Sequence, residues 1–187
     1  VLVNEALGPD PEADAAPFRA RLPAGHVHGF TPVGTVAEMR REAHGRAAAS
    51  ALLREHRIAA LRPDVVHVGS LFEGYVDDAV VSCGRLAVRH ATAATLYDLI
   101  PLGQPEQQLA GPGQADFYYR HAADLKRADL LLAISEHSRR EAMDRLGFEP
   151  DRIAFVGAGV SPRFRPRRLG PDEAAALTAR LGLPERF

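Results

Sequence analysis

Cysteine is almost missing from this chain. Cys83 is the only one in 187 residues, so no internal disulfide framework can form and the composition suits a reducing compartment. Long apolar runs are missing as well. None approaches the ~20 residues that a membrane-crossing helix needs, and nothing at the start reads as a signal peptide. Charge of one sign is not in excess, with 23 basic against 24 acidic residues, which gives no overall pull toward nucleic acid or anionic lipid. The arginines at 163, 165, 167 and 168 have Phe164 as their one interleaved aromatic, a weak basis for stacking bases. The expectation is a cytoplasmic protein with no nucleic-acid partner, peripheral membrane association being left open.

Several motifs are missing too. No G-x-G-x-x-G follows a strand, which excludes the dinucleotide fingerprint from this stretch. There is no G-x-x-x-x-G-K-[ST] and no G-x-S-x-G, so neither a phosphate-binding P-loop nor a nucleophile elbow is present. D-x-D, a pairing that holds a metal against a nucleotide diphosphate, does not occur, and the eight histidines do not cluster at metal-ligand spacing.

What remains is an alternation of short apolar strands and helices in a chain long enough for one well-filled domain. Strands are expected at Val1 to Asn4, Val27 to Phe30, Asp64 to Val68, Ala91 to Leu96, Leu130 to Ile134 and Ile153 to Val156. Helices are expected from Thr35, in capping-box spacing with Glu38, to Leu61; from Tyr75 to Arg85; from Gln114 to Ala128; from Ser135 to Gly147; and from Asp172 to Leu181. Gly8 to Asp14 reads as a turn, and Pro101 to Gly113 as a functional loop. Asp64 to Val68 has the continuous apolar character of a strand covered on both faces. Cys83 is expected in a helix interior, and His67 in the core. The fold class is α/β, a Rossmann-like parallel sheet with helices on both faces.

In a parallel sheet the carboxyl ends of all strands share one edge, where ligands bind. The turns there hold Gly69, Ser70 and Glu73; Tyr97 and Asp98; Ser135, Ser138 and Arg139; and Gly157 and Gly159. Ser135 either caps its helix alone or adds donors for an anion. Arg139 pairs with a phosphate or with a carboxylate such as Glu136. Asp98 serves as acceptor or general base, or fixes its own turn. Gly157 and Gly159 permit close backbone approach.

Four segments occur in a particular order and spacing: RPDVVHVGSLFEG (62–74), TLYDLIPL (95–102), KRADLLLAISEHSRREA (126–142) and VGAGVSPRFRP (156–166). Together they resemble the N-terminal, acceptor-side domain of family 4 glycosyltransferases with the GT-B fold, mannosyltransferase-like members in particular. The resemblance implies two Rossmann-like domains facing each other across a cleft. Residues 1–170 correspond to the first, without its opening strand and loop, and residues 171–187 to a linker helix leading to a donor-binding domain outside this stretch. Leu181 to Phe187 resembles the lead-in to that domain.

The implied activity belongs to polysaccharide biosynthesis. A hexose, mannose by resemblance, passes with retention from a nucleotide diphosphate sugar to a glycan or lipid-linked acceptor, with no cofactor or metal. This stretch alone is expected to be inactive. The resemblance places Tyr97 and Asp98 at the catalytic position, where many relatives carry His-Asp. Ser70, Glu73, Gly74, Ser135, Arg139, Gly157, Gly159 and Val160 are then substrate-binding. The alternative is a non-catalytic sugar- or partner-binding domain of the same fold.

Overall fold

The computed structural model describes residues 1–86 and 90–184. The chain divides into two compact units, Val1–Gly157 and Ala158–Phe187.

In the first unit, β1 (Leu2–Asn4) pairs in parallel with β2 (His28–Phe30) as a two-stranded sheet. Between them α1 (Pro11–Arg19) starts where a turn is expected, because the Asp10 side chain accepts from the N–H groups of Glu12 and Ala13 and Pro11 occupies the first helical position. A second sheet has the order β3 (Val65–Val68), β4 (Ala91–Leu96), β5 (Leu130–Ala133), β6 (Ile153–Phe155), every pair parallel. It is flanked by α2 (His44–Leu61), α5 (Gln114–Leu125) and α6 (Glu136–Leu146). Two one-turn helices, α3 (Ile100–Gly103) and α4 (Pro105–Gln108), break up what reads as a loop. In the second unit α7 spans Pro171–Leu181. No described helix is long and apolar enough to cross a membrane.

The core lies where β4 and β5 meet α5 and α6. Leu96, Leu99, Leu125 and Leu131 are completely or almost completely buried, each contributing about 1.5–3 kcal/mol by leaving water. As the spacing predicts, Phe117, His121 and Leu125 form one buried face of α5. Ser135 caps α6, and Gly147 ends it at φ 71°.

Five further expectations are corrected. The first part of the helix expected from Thr35 is replaced by irregular chain and a 3-10 turn, Arg41–Ala43, before α2. The Asp78 carboxylate takes the N–H groups of Val36 and Ala37 (2.6 and 3.0 Å), and Glu38 pairs with Arg120 at 2.6 Å, so no capping box forms. The helix at Tyr75 to Arg85 is irregular chain. Gly74 and Gly84 adopt positive φ, the Asp77 carboxylate bonds Ala79 N–H, and the Asp78 carbonyl accepts from Asn4 Nδ2; such local and long-range bonds compete with helix. Cys83 is therefore buried in irregular chain, where burial first and Glu55 second raise its thiol to about 11.

The other two corrections concern β3. It is a sheet edge, with Val65 61% exposed, instead of a strand covered on both faces. His67 is exposed and meets the Thr95 hydroxyl at 2.8 Å instead of lying in the core. Glu185 to Phe187, the end of the expected lead-in to a further domain, lie outside the described residues.

Candidate functional site

The carboxyl ends of β3 and β4 are adjacent because Val68 and Ala94 are register partners. A cleft of about 420 Å³ opens there. Ser70, Glu73, Tyr97 and Asp98 all line it. Ser70 Oγ donates to Glu73 Oε1 at 2.7 Å, which fixes one carboxylate oxygen and leaves the other for a ligand. Asp98 Oδ1 accepts from Ile100 N–H at 3.1 Å, so the turn-fixing role is real and occupies one of its two oxygens. Tyr97 is 54% exposed, whereas Leu99 next to Asp98 is fully buried and anchors the turn.

Gly74, between the lining residues Glu73 and Tyr75, does not itself line the cleft and has φ 96°. A Cβ there would collide with the carbonyl oxygen of Ala79, and the Gly74 carbonyl accepts Glu38 N–H at 3.0 Å. Glycine is thus required by the backbone at this point. Tyr75 then reaches across, its hydroxyl donating to the Pro112 carbonyl at 2.8 Å, and closes one side of the cleft.

The walls were not legible as site residues. Phe72 stacks on Tyr118 (ring centroids 4.7 Å apart), and Tyr75 meets Phe117 at 5.3 Å. Three of the chain's four tyrosines, at 75, 97 and 118, line this one cleft. That concentration in a chain with 6% aromatics was the available signal. Tyr118 is raised well above the usual phenol range, by burial first and by Asp98 second. His121, its ring tilted against Phe117 with centroids 4.1 Å apart, is lowered by burial, so it is neutral near pH 7.

Ser135 and Arg139 have other occupations. Ser138 Oγ donates to the Tyr97 carbonyl at 2.6 Å. Its contact with Ser135 Oγ (2.9 Å) therefore has Ser135 as donor, while Ser135 Oγ accepts Ser138 N–H at 3.0 Å. This relay joins the start of α6 to the end of β4. Arg139 turns toward Glu136 (3.6 Å) and the Ile153 carbonyl (3.5 Å). Neither Ser135 nor Arg139 lines the cleft. Gly157, at φ 71°, ends the first unit, and Gly159 and Val160 lie in irregular chain of the second, with Val160 74% exposed. Among the described residues, no three His, Cys, Asp or Glu side chains converge as a metal-binding set.

A polar rib of Ser70 and Glu73 separates this cleft from a second groove of about 300 Å³, lined by Leu2, Phe30 and His67. The main cleft therefore offers two carboxylates, a tyrosine face and aromatic walls at the carboxyl edge of a parallel sheet. Such a surface can orient a hydroxyl-rich ligand and accept hydrogen bonds from it.

Comparison with known proteins agrees with this architecture. Residues 2–164 match the family described as Glycosyltransferase Family 4. The chain is similar to serotype-specific mannosyltransferases WbdA of Escherichia coli. One is 32% identical over 158 residues, 84% of this chain and 19% of the relative; another is 31% identical over the same share of each. The chain thus spans about a fifth of the length of these curated relatives. With the family matched over most of its length, the chain belongs to glycosyltransferase family 4.

Proposed function

We propose that the protein containing this chain transfers a hexose, mannose, from a nucleotide diphosphate sugar to a glycan or lipid-linked acceptor with retention, and that the cleft above β3 and β4 holds the acceptor. The observation that carries this reading is the meeting of Ser70, Glu73, Tyr97 and Asp98 on one cleft, in a chain of this family. The mannosyltransferase name of its E. coli relatives supports mannose.

In the proposed reaction an acceptor hydroxyl attacks the anomeric carbon on the face the phosphate leaves. The bond from that carbon to the phosphate oxygen breaks, the new glycosidic bond forms, and the hydroxyl proton passes to the departing phosphate. The protein's contribution is positioning and charge stabilisation. Asp98 and Tyr97 orient the acceptor hydroxyl at the reacting centre, and Ser70 and Glu73 hold the neighbouring hydroxyls. Ser135 supports the site through the relay to Tyr97, without touching substrate. Residues 1–170 form the acceptor-side domain, and residues 171–187 lead to a donor-binding domain. No metal or cofactor takes part. We place the enzyme in the cytoplasm, in keeping with a lone cysteine that is buried and protonated.

The test is transfer of radiolabelled mannose from its nucleotide diphosphate by the full-length protein to mannose-containing glycans. Labelled product is expected, formed equally well in the presence of a chelator, and none from the 187-residue chain alone. Binding of glycans without transfer by the full-length protein would assign the non-catalytic alternative.

A further inference from the structure

An uncharged glycan end and a phosphate-bearing headgroup are chemically distinct acceptors, and the lining of the cleft discriminates between them. Among the described residues, its charged lining groups are two carboxylates, Glu73 and Asp98, and no Lys, Arg or His lines it. Three cations elsewhere on the same unit are held by carboxylates. Arg120 pairs with Glu38 at 2.6 Å, Arg85 with Asp124 at 2.5 Å, and Arg139 with Glu136 at 3.6 Å. A phosphate entering here meets like charge and finds no cationic donor to offset its lost hydration.

A sugar meets the opposite situation. Its hydroxyls donate, and Glu73 and Asp98 each keep a carboxylate oxygen beyond the one engaged by Ser70 or Ile100. Its apolar C–H face needs a flat apolar partner, and the Tyr97 ring, 54% exposed beside Asp98, provides one. The walls behind it are pre-set by ring contacts between Phe72 and Tyr118 and between Tyr75 and Phe117, so little ordering remains to oppose binding.

We propose that this cleft takes the uncharged end of a glycan, one sugar ring lying on Tyr97 and its hydroxyls donating to Asp98 and Glu73, and that it rejects an acceptor bearing phosphate at that end. The inference rests on the acceptor reading of the same cleft and narrows it.

The test is an NMR-monitored titration of the chain with a neutral mannobiose and with the same disaccharide carrying a 6-phosphate. The neutral sugar is expected to bind about tenfold more tightly or better at low salt, with the gap narrowing at high salt. In the double variant Glu73→Gln, Asp98→Asn the gap is expected to close. Tyr97→Ala should weaken the neutral sugar about fivefold with an unchanged melting temperature, because Tyr97 is an exposed residue. Equal affinity for the two sugars, a gap that survives loss of both charges, or full affinity in Tyr97→Ala overturns the inference and leaves the acceptor reading standing. Failure of the chain to bind either sugar overturns both.

Discussion

At Ser138 one hydroxyl donates to the Tyr97 carbonyl and accepts from Ser135, while the residue is 98% buried from solvent by its surroundings, only 2% of its surface being exposed. Ser138→Ala leaves that carbonyl without its donor and should cost about 1–3 kcal/mol in a denaturant titration. Ser135→Ala, which removes the cap alone, should cost about 1 kcal/mol. An unchanged midpoint for Ser138→Ala would contradict the relay. His121 adds a pH dependence. Burial lowers its folded value below the ordinary 6.5. Above that value the ring is neutral in both states; as pH falls below it, the unfolded chain binds a proton that the folded chain resists. Stability is thus full above pH 6.5 and lost as pH falls toward the lowered folded value. Melting temperature followed across this range should drop on the acid side, and His121→Phe should flatten that part of the profile. An identical profile in the variant would contradict the assignment.

Elements whose stability is local were legible. The β4 strand, Ala91–Leu96, has the bounds its pattern predicts, and α6 begins at a serine cap and ends at a positive-φ glycine as read. Elements decided by distant partners were not. Residues 35–43 and 75–85 carry adequate helical spacing, yet Asp78 binds the first segment's N–H groups from within the second. Helix spacing cannot report a carboxylate more than forty positions away. His67 was misread for a related reason: the apolar run around it does not reveal that β3 is an edge. Gly74 is where this irregular segment is most constrained. Gly74→Ala meets both a positive φ and the Ala79 carbonyl, and should destabilise by about 2 kcal/mol or more, seen as a lower denaturation midpoint. A neutral substitution would show that the segment relaxes freely.

In the whole molecule, parallel topology does most of the work of assembling a site. Ser70 and Asp98 are far apart in sequence, but β3 and β4 are parallel neighbours, so their carboxyl ends deliver both to one cleft. That much follows from strand patterns. The aromatic walls do not, since Phe72 and Tyr75 come from the irregular segment and Phe117 and Tyr118 from α5. Ser135 and Arg139 share the same edge but spend their hydrogen bonds and charge on the fold; proximity to a cleft is weaker than lining it. The role proposed for the lining of this cleft is to act on the acceptor during glycosyl transfer. Its most direct test is the acceptor kcat/KM of full-length Asp98→Ala measured beside its unfolding free energy. A fall of about 100-fold or more in kcat/KM is expected, with a stability loss of no more than about 1 kcal/mol, the share of the one exposed hydrogen bond to Ile100 N–H. A near wild-type kcat/KM, or a loss of activity no larger than the loss of stability explains, would contradict it.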